Sequence, residues 1–252
     1  MSLVLSEPAG PVLWITINRP EARNALNREA LGELSAALTR AREDQAVRVV
    51  ALTGTPPAFC AGGDLKEIVS DPATAQDSLG ALRGVLEAIV TLPQPTLAAV
   101  NGPALGGGAG LVTACDFAYA AESAVIGYPE VELGFVAALV SVLLVRKVPP
   151  WAARELLLGG AAHSAEEALR LRLINGVVSD GGLRAHVQAR GEALATKGPR
   201  ALAVTKSLLE TIPRLSLSEG LDLAERIGAE VRAGEEFQMR AKAYLERLSK
   251  RR

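Results

Sequence analysis

The sequence predicts an α/β core followed by an all-helical end. Short apolar runs typical of buried strands alternate with helical patterns up to about residue 183, and no strand pattern follows them. Two glycine-rich loops, residues 58–66 and 101–110, each follow an apolar run and lead into a helical pattern. We therefore expect a core over residues 1–183 and a helical region over residues 184–252.

Composition limits the classes of partner. The chain has 252 residues, 49% of them hydrophobic, which is enough for one large packed core. A formal net charge of −1 gives no overall attraction to nucleic acid or to an anionic membrane. The basic cluster at residues 250–252 is interpreted as a solvated tail. We expect no nucleic-acid partner and no membrane partner.

The cysteines and histidines predict neither a disulfide framework nor a metal site. Cys60 and Cys115 are far apart and lack metal-ligand spacing, which is typical of a reducing compartment. The N-terminus has no basic and apolar leader pattern, so the predicted location is the cytoplasm. His163 and His186 lie in helix-rich stretches and are interpreted as surface or structural residues.

The elements of the first half follow from local patterns. Apolar runs at residues 3–5 and 12–18 flank turn residues 7–10 and predict a hairpin. Residues 28–43 have helical periodicity, with Leu31, Leu34 and Leu38 on one side. A buried strand is expected over residues 47–53 and a short helix over residues 65–69. Another helix is expected over residues 78–92, where Pro93 and Pro95 end it.

The second half continues in the same way. Residues 96–100 predict a strand, and the glycine triplet at 106–108 opens a helix that runs to residue 114. Short strands are predicted over residues 117–121, 124–126 and within 173–178, and helices over residues 137–147, 152–158 and 165–170, the last with Ser164 as its N-cap.

Four helical patterns make up the predicted end, over residues 184–197, 200–211, 218–233 and 237–248. Three of them carry apolar stripes, for example Leu217, Leu221 and Ala224. Such stripes serve either packing on the core or an interface between subunits. The pattern leaves both alternatives open.

The glycine loops lack the signatures of phosphate binding. Gly106 and Gly108 do not match the dinucleotide spacing Gly-x-Gly-x-x-Gly, and no Gly-Lys-Ser/Thr follows either loop. The sequence also has no Gly-x-Ser-x-Gly elbow and no His-Glu-x-x-His. Nucleotide hydrolysis, hydride transfer, serine hydrolysis and zinc proteolysis are therefore not predicted.

The loops do fit chemistry at a carbonyl group. Gly107 and Gly108 lie where a helix begins, so their N–H groups are unpaired within it and lie at its positive end. Gly63 lies just before another predicted helix. Two N–H groups aimed at one point stabilise a developing oxyanion, and one such donor contributes about 2.7–4 kcal/mol.

A proton carrier is predicted in the apolar segment 126–135. Glu130 and Glu132 are the carboxylates there, and burial would raise either pKa toward a range useful for acid–base catalysis. Pro129 fixes the backbone before Glu130, which favours Glu130.

Taken together, these motifs resemble the crotonase family, the enoyl-CoA hydratase and isomerase superfamily. The resemblance covers nearly the whole chain and rests on residues 18–26, 59–66, 99–108, 115–116, 128–130 and 133–134. It implies a crotonase-like spiral of strand-strand-helix turns with a C-terminal helical trimerisation region, assembled as a homotrimer or a dimer of trimers. It also implies an acyl-CoA substrate from fatty-acid or branched amino-acid breakdown.

The resemblance implies roles for particular residues. Gly63 and Gly107 would be the oxyanion donors and Glu130 the catalytic acid–base. CoA contacts would come from Ala22, Arg23, Ala61, Gly63, Asp64, Leu65, Lys66 and Gly107. Residues 243–247 resemble an aromatic and basic helix of the family, so Tyr244 and Arg247 would approach the CoA nucleotide of the same or a neighbouring subunit. No metal and no cofactor besides the CoA of the substrate are implied.

One departure from the family bears on the reaction. Typical hydratases carry two catalytic glutamates; the second matches Glu130, but the first falls on Gly110, and residues 134–138 replace a proline- and glycine-bearing loop. In a hydratase, Glu130 alone would handle the water that adds to C3 of a 2-enoyl-CoA, and vacant volume at Gly110 would admit a bulky or branched acyl chain.

Two alternatives remain beside the hydratase, which we favour. In an isomerase, Glu130 would take a proton from C2 of a 3-enoyl-CoA and return it at C4. The chain could also be a CoA-binding or RNA-binding relative without catalysis. The near-neutral charge argues against RNA, and the presence of Glu130, Gly63 and Gly107 argues against an inactive protein.

Overall fold

The chain folds into two β-sheets surrounded by helices, as a computed structural model that describes residues 2–70 and 72–249 shows. The strands are β1 (Val4–Ala9), β2 (Val12–Ile17), β3 (Val49–Gly54), β4 (Thr96–Val100), β5 (Ala104–Leu105), β6 (Phe117–Ala121), β7 (Val125–Gly127), β8 (Ala162–Ser164) and β9 (Gly176–Val178). This architecture confirms the predicted α/β class.

The α-helices are α1 (Arg28–Glu43), α2 (Leu65–Ser70), α3 (Pro72–Thr91), α4 (Gly107–Ala114), α5 (Ala138–Lys147), α6 (Pro150–Gly159), α7 (Ala165–Arg170), α8 (Leu183–Ala195), α9 (Pro199–Thr211), α10 (Leu217–Ala233) and α11 (Glu235–Ser249). Short 3-10 helices cover Pro20–Ala22, Pro129–Leu133, Asp180–Gly182 and Ile212–Arg214. The bounds of α1, α7, β4 and β6 agree with the predicted ranges residue for residue.

The larger sheet has the strand order β1-β2-β3-β4-β6-β9. The first pair is antiparallel and the other pairs are parallel. The hairpin is confirmed, but Ala9 pairs with Val12, so the chain turns at residues 10–11, later than predicted. Strands β3 and β4 are buried along their whole length, as expected for parallel strands that are covered on both faces.

The parallel pairing of β3 and β4 brings the two glycine loops together. Neighbouring parallel strands end at the same edge of a sheet, so the loops that follow β3 and β4 start side by side. Beyond the sheet, the N–H group of Leu105 donates to the Cys60 carbonyl at 2.9 Å, and Cys60 forms a bridge with Ala104. The loops are thus joined by backbone hydrogen bonds.

The smaller sheet, in the order β5-β7-β8, contains two strands that the sequence pattern did not predict. Strands β5 and β8 have two and three residues, too few for an alternating pattern to be recognised. The predicted N-cap of α7 is present: the Ser164 hydroxyl accepts from the Glu167 N–H group at 3.2 Å, and Glu167 completes a capping box.

The C-terminal helices differ in how they pack. Helix α8 lies against the larger sheet and buries Leu183 and Val187. Helices α9 to α11 expose large apolar side chains, among them Leu217 at 82% and Leu221 at 61%. The domain division at residue 183 and the trimerisation role of this region stay predictions, and the basic cluster at 250–252 lies outside the described residues.

The cysteines and histidines occupy structural positions. Cys60 and Cys115 are buried and unpaired. His163 is buried, and half-buried His186 lies edge-on to the Tyr119 ring with the ring centroids 4.6 Å apart, so neither is a free surface residue. Over residues 2–70 and 72–249, no cluster of side chains is arranged to hold a metal ion. Among the helices described, none has the length and apolar character needed to cross a bilayer.

Candidate active site

The N–H group of Gly63 is left free by the way its loop is paired. Leu26 donates its N–H to the Gly62 carbonyl at 2.7 Å and accepts from the Asp64 N–H at 3.0 Å, which forms a parallel bridge opposite Gly63. In a parallel bridge of this kind, the N–H of the middle residue points away from the partner segment. Within the described part of the chain, the Gly63 N–H has no backbone acceptor.

The N–H group of Gly107 lies at the start of α4. This helix has no side-chain N-cap, and its first N–H groups have no acceptor within the helix. Gly106, which precedes it, has a φ of 51° and a ψ of −119°, a conformation that favours glycine. The Gly106 N–H donates to the Gly127 carbonyl at 2.9 Å, while the Gly107 N–H remains at the positive end of the helix.

These two amides lie close together. A Cβ atom built on Gly62, whose φ is 95°, would lie 3.5 Å from the Gly107 nitrogen. A Cβ atom built on Gly107 would lie 3.9 Å from the Gly63 nitrogen. The fold therefore brings the two sequence-predicted donors close together, an arrangement that suits a negatively charged oxygen between them.

Glu130 lies beside these donors, near the start of the 3-10 helix Pro129–Leu133. Its Oε1 atom lies 3.1 Å from the position of a Cβ on Gly106. Its Oε2 atom is buried and has no hydrogen-bond partner among the residues described. Burial raises the pKa of this carboxyl above its ordinary value of 4.5, because desolvation disfavours the charged form. Such a carboxyl is suited to take up and release a proton.

The alternative carboxylate, Glu132, is exposed to solvent. A 3-10 helix has about three residues per turn, so residues two apart lie on different sides of it. Glu130 therefore faces the glycine loops and Glu132 does not. This difference comes from the helical turn, whereas an extended segment would have placed both on one face.

A buried tyrosine holds the Glu130 segment against α4. The Tyr128 hydroxyl lies 2.5 Å from the Thr113 hydroxyl and 3.4 Å from the Ala109 carbonyl oxygen. Sequence reasoning had assigned Tyr128 no role beyond its motif. The available signal was Thr113, the polar residue of an otherwise apolar buried helix, which needs a hydrogen-bonding partner.

The predicted CoA contacts near the N-terminus lie next to the Gly63 loop. Ala22 ends the 3-10 helix Pro20–Ala22, and Arg23 follows it with a φ of 51°. The Ala61 N–H donates to the Arg23 carbonyl at 3.0 Å, so the three residues lie in adjacent loops. The Arg23 side chain is exposed.

Asn24, which sequence reasoning missed as a site residue, shapes this pair of loops. It is fully buried and has a φ of 60°, a left-handed conformation in which asparagine is enriched. Its side chain accepts from the Arg19 N–H at 2.9 Å and donates to the carbonyls of Thr55 and Ala58 at 2.8 and 2.7 Å. It fixes the spacing between the loop that holds Arg23 and the loop that holds Ala61.

The Asp64 side chain is held within the protein. Its carboxylate lies 2.6 Å from the Arg19 guanidinium and accepts from the Lys66 and Glu67 N–H groups at 3.0 and 3.4 Å. Burial raises the pKa of Asp64, but the hydrogen bond and charge of Arg19, together with these N–H groups, outweigh it and hold the pKa below the ordinary 3.8. The Asp64 N–H donates to the Leu26 carbonyl and its carbonyl accepts from the Ile68 N–H, so a CoA contact from Asp64 stays a prediction.

The other predicted CoA contacts are exposed. Leu65 and Lys66 open α2 at the surface next to Gly63. Tyr244 and Arg247 lie on α11, with Tyr244 exposed by 62%, and within the described residues neither side chain forms a hydrogen bond or ion pair. Their predicted approach to CoA stays a prediction.

The vacant volume expected at Gly110 is absent, so that expectation was wrong. A Cβ atom on Gly110 would lie 3.2 and 3.3 Å from the two methyl groups of Val140, and 3.8 Å from Cδ2 of Leu86. Val140 and Leu86 are both buried. The apolar side chains of two neighbouring helices thus occupy the space that a larger side chain at residue 110 would need.

Comparison with known proteins agrees with this arrangement. The family model described as enoyl-CoA hydratase/isomerase matches residues 7–251. A Thermus thermophilus protein named "Putative enoyl-CoA hydratase" is 41% identical over 243 residues, which cover 94% of this chain and 96% of that protein. The protein named enoyl-CoA isomerase/hydratase fer4 from Mycosarcoma maydis is 36% identical over 223 residues, with 84% and 81% covered.

The fold agrees with solved structures as well. The crystal structure of an enoyl-CoA hydratase from Bacillus anthracis superimposes with a TM-score of 0.93 at 32% identity, covering 97% of this chain and 96% of that one. The motifs, the fold and the match across almost the whole length lead to one assignment: the chain belongs to the enoyl-CoA hydratase/isomerase family, with the crotonase fold.

Proposed function

We propose that this protein is an enoyl-CoA hydratase that adds water to C3 of a 2-enoyl-CoA thioester. The observation that carries the proposal is the Glu130 carboxyl, whose buried and unpartnered Oε2 lies beside the Gly106–Gly107 turn. The names of the relatives from Thermus thermophilus and Bacillus anthracis support the same reaction.

The thioester oxygen would lie between the N–H groups of Gly63 and Gly107. When water adds to C3, negative charge moves onto this oxygen as an enolate forms. The two donors stabilise the charge where it develops, and each contributes about 2.7–4 kcal/mol to that stabilisation.

Glu130 would carry the one proton that moves from the water to C2. As a carboxylate it takes a proton from the water whose oxygen bonds to C3. As a carboxylic acid it then gives that proton to C2, which converts the enolate to the 3-hydroxyacyl-CoA. Its raised pKa suits the first step, because the conjugate base of a weaker acid takes up a proton more readily. The steps need no cofactor besides the CoA that the substrate carries.

The CoA part would lie along the loops of Ala22, Arg23 and Ala61 and the start of α2. Exposed Arg23 and Lys66 provide cations for its phosphates next to the thioester site. Tyr244 and Arg247 would reach the nucleotide within a trimer or a dimer of trimers. The exposed apolar residues of α10, such as Leu217 and Leu221, support such an assembly, and the unpaired cysteines fit a cytoplasmic location.

Isomerisation of a 3-enoyl-CoA to a 2-enoyl-CoA is the second candidate. The apolar contacts of Val140 and Leu86 at Gly110 favour it, because they leave no second polar group at that position to hold a water. One base is sufficient for this reaction: Glu130 would remove a proton from C2 and return it at C4. The relative from Mycosarcoma maydis carries both activities in its name.

Product analysis separates these candidates. The protein is incubated with a 2-enoyl-CoA and, separately, with a 3-enoyl-CoA in water enriched in heavy oxygen, and the products are identified by mass. A product that gains one labelled water supports the hydratase. A shifted double bond without label supports the isomerase, and no turnover of either substrate, with binding retained, would refute both and leave the CoA-binding alternative.

A further inference from the structure

The Glu130 carboxyl is held in place through its backbone rather than through its own oxygens. Within the described residues, its Oε2 atom has no hydrogen-bond partner, and no other residue donates to the carboxyl. The backbone before it is attached to α4: the Gly127 carbonyl accepts from the Gly106 N–H at 2.9 Å, and the Tyr128 side chain contacts the same helix further along. The position of the carboxyl therefore depends on these attachments.

The Tyr128 hydroxyl joins a chain of hydrogen bonds on α4. The Thr113 hydroxyl donates to the Ala109 carbonyl at 2.8 Å, whereas the Tyr128 hydroxyl is 3.4 Å from that carbonyl. A hydroxyl has a single proton, so Thr113 then accepts from the Tyr128 hydroxyl, which lies 2.5 Å away. Burial raises the pKa of Tyr128, so its hydroxyl keeps the proton that it donates.

Tyr128 and Glu130 contact α4 at different turns. Oε1 of Glu130 lies 3.1 Å from the position of a Cβ on Gly106, the residue before the Gly107 donor. Tyr128 contacts the helix at Thr113, seven residues beyond Gly106 and about 10 Å along the axis. The backbone hydrogen bond at Gly106 and the hydroxyl bond at Thr113 thus attach the segment at two separate points, which prevents it from turning about either one.

We propose that Tyr128, through its hydrogen bond to Thr113, is a positioning residue for the Glu130 carboxyl. It holds the carboxyl beside the Gly107 N–H group. The proposal rests on the proposed function, because it needs Glu130 to transfer the proton, and it applies to hydration and isomerisation alike. Loss of the hydroxyl bond removes the second attachment, so the segment can turn about the first. A displacement of 1 Å at a reacting group can lower a rate by about a hundredfold.

Tyr128→Phe tests this role with little disturbance of the core. Phenylalanine preserves the ring, and the Thr113 hydroxyl keeps its bond to the Ala109 carbonyl, so Thr113 is not left unpaired. We measure kcat and KM on the enoyl-CoA that the unchanged protein turns over, and the affinity for saturated butyryl-CoA by calorimetry. We expect kcat to fall about tenfold, with KM and the affinity changed by less than about twofold.

A second buried tyrosine provides the matched control. Tyr119 lies on β6, and its hydroxyl accepts from the Arg190 guanidinium on α8 at 3.0 Å. Tyr119→Phe therefore also removes one hydrogen bond of a buried tyrosine, but from a part of the fold that does not carry Glu130. We expect its kcat to equal that of the unchanged protein.

Combination with Glu130→Gln separates positioning from a general loss of stability. A positioning residue acts only through the group that it positions, so adding Tyr128→Phe to Glu130→Gln should lower kcat no further. Thr113→Val removes the same hydrogen bond from its other side, so the double variant Tyr128→Phe/Thr113→Val should match Tyr128→Phe alone. Thr113→Ser, which retains the hydroxyl, should keep the kcat of the unchanged protein.

Either of two results would overturn the positioning role. One is a kcat of Tyr128→Phe within about twofold of the unchanged protein, measured where both are folded. The other is a fall in kcat that is just as large when Tyr128→Phe is added to Glu130→Gln. If Tyr128→Phe does not fold, Thr113→Val takes its place in both comparisons. Absence of turnover by the unchanged protein would instead refute the proposed function, and the positioning role with it.

Discussion

Glu130 and Asp64 flank the same pair of amides, yet their surroundings differ completely. Asp64 is held by Arg19 and two backbone N–H groups, which keep its pKa low. Glu130 has a buried oxygen without a partner within the described residues, and its pKa is raised. A carboxylate whose oxygens are all occupied shapes a loop, whereas one left unoccupied in an apolar environment is available for proton transfer.

The largest expected effect comes from removing the Gly107 N–H group, the oxyanion donor near both carboxylates. Gly107→Pro deletes the N–H, while proline is tolerated at the first position of a helix, so we expect turnover to fall by about a hundredfold to a thousandfold. Steady-state kinetics on the 2-enoyl-CoA measure the loss. Gly107→Ala retains the N–H, but its Cβ would lie 3.3 Å from Cδ2 of Leu82 and 3.9 Å from the Gly63 nitrogen, so it measures the steric effect of a side chain beside the donors. A folded and active Gly107→Pro protein would remove this amide from the mechanism.

Glu130→Gln tests the chemical member of the pair. Glutamine preserves the shape but cannot transfer a proton, so we expect kcat to fall at least roughly a hundredfold while acyl-CoA binding persists. Exposed Glu132→Gln, two residues away, should stay close to normal. Near-normal kcat in Glu130→Gln would contradict its role as the base.

Asp64→Asn tests the structural member. It removes the charge that pairs with the Arg19 guanidinium, which keeps only the Ala25 carbonyl and the exposed Glu21 as partners, so we expect the free energy of unfolding to fall by about 1–3 kcal/mol. The control is Asp77→Asn, whose ion pair with Arg28 is exposed on both sides and should contribute little. Chemical denaturation at neutral pH measures both. Equal effects of the two substitutions would mean that burial of the Arg19–Asp64 pair has no consequence.

Gly110→Ala tests the region where neither carboxylate lies. Alanine favours a helix by about 1 kcal/mol over glycine, but its Cβ would press on Val140, and overpacking costs about 1–3 kcal/mol. We expect Gly110→Ala to destabilise the protein by about 1 kcal/mol, and to stabilise a Val140→Ala protein by a similar amount. Thermal denaturation of the unchanged protein, the two single variants and the double variant gives the coupling between residues 110 and 140. If Gly110→Ala changed stability in the same direction with and without the Val140 methyl groups, the packing described at Gly110 would be contradicted.

The smallest effect concerns the pH dependence of the free energy of unfolding, to which the two carboxylates should contribute with opposite sign. Because the pKa of Asp64 is lowered on folding, its contribution to stability is present above the unfolded pKa and is lost as pH falls through the folded pKa. Because the pKa of Glu130 is raised, its contribution is present below the unfolded pKa and is lost as pH rises through the folded one. The stability of each Asn or Gln variant relative to the unchanged protein, followed from acidic to neutral pH, should show these opposite slopes. Slopes of the same sign would contradict the opposite pKa shifts of Asp64 and Glu130.

Local patterns in the sequence were sufficient for much of the fold. The bounds of α1 and β4 follow from leucines at helical spacing and from an apolar run between prolines and Asn-Gly. The order of the motifs likewise located both glycine loops and the Glu130 segment. These features involve residues close together in the chain, where periodicity and turn residues determine the backbone.

Only the tertiary structure decided the contacts between distant residues. Arg19 and Asp64 are 45 residues apart, and neither position signals the other. The choice of Glu130 over Glu132 needed the 3-10 turn, and the filling of the space at Gly110 needed Val140 from a different helix. The sequence determined which groups are present, and packing decided which of them are satisfied and which are left free, because burial and hydrogen bonding depend on neighbours that the chain supplies from far away.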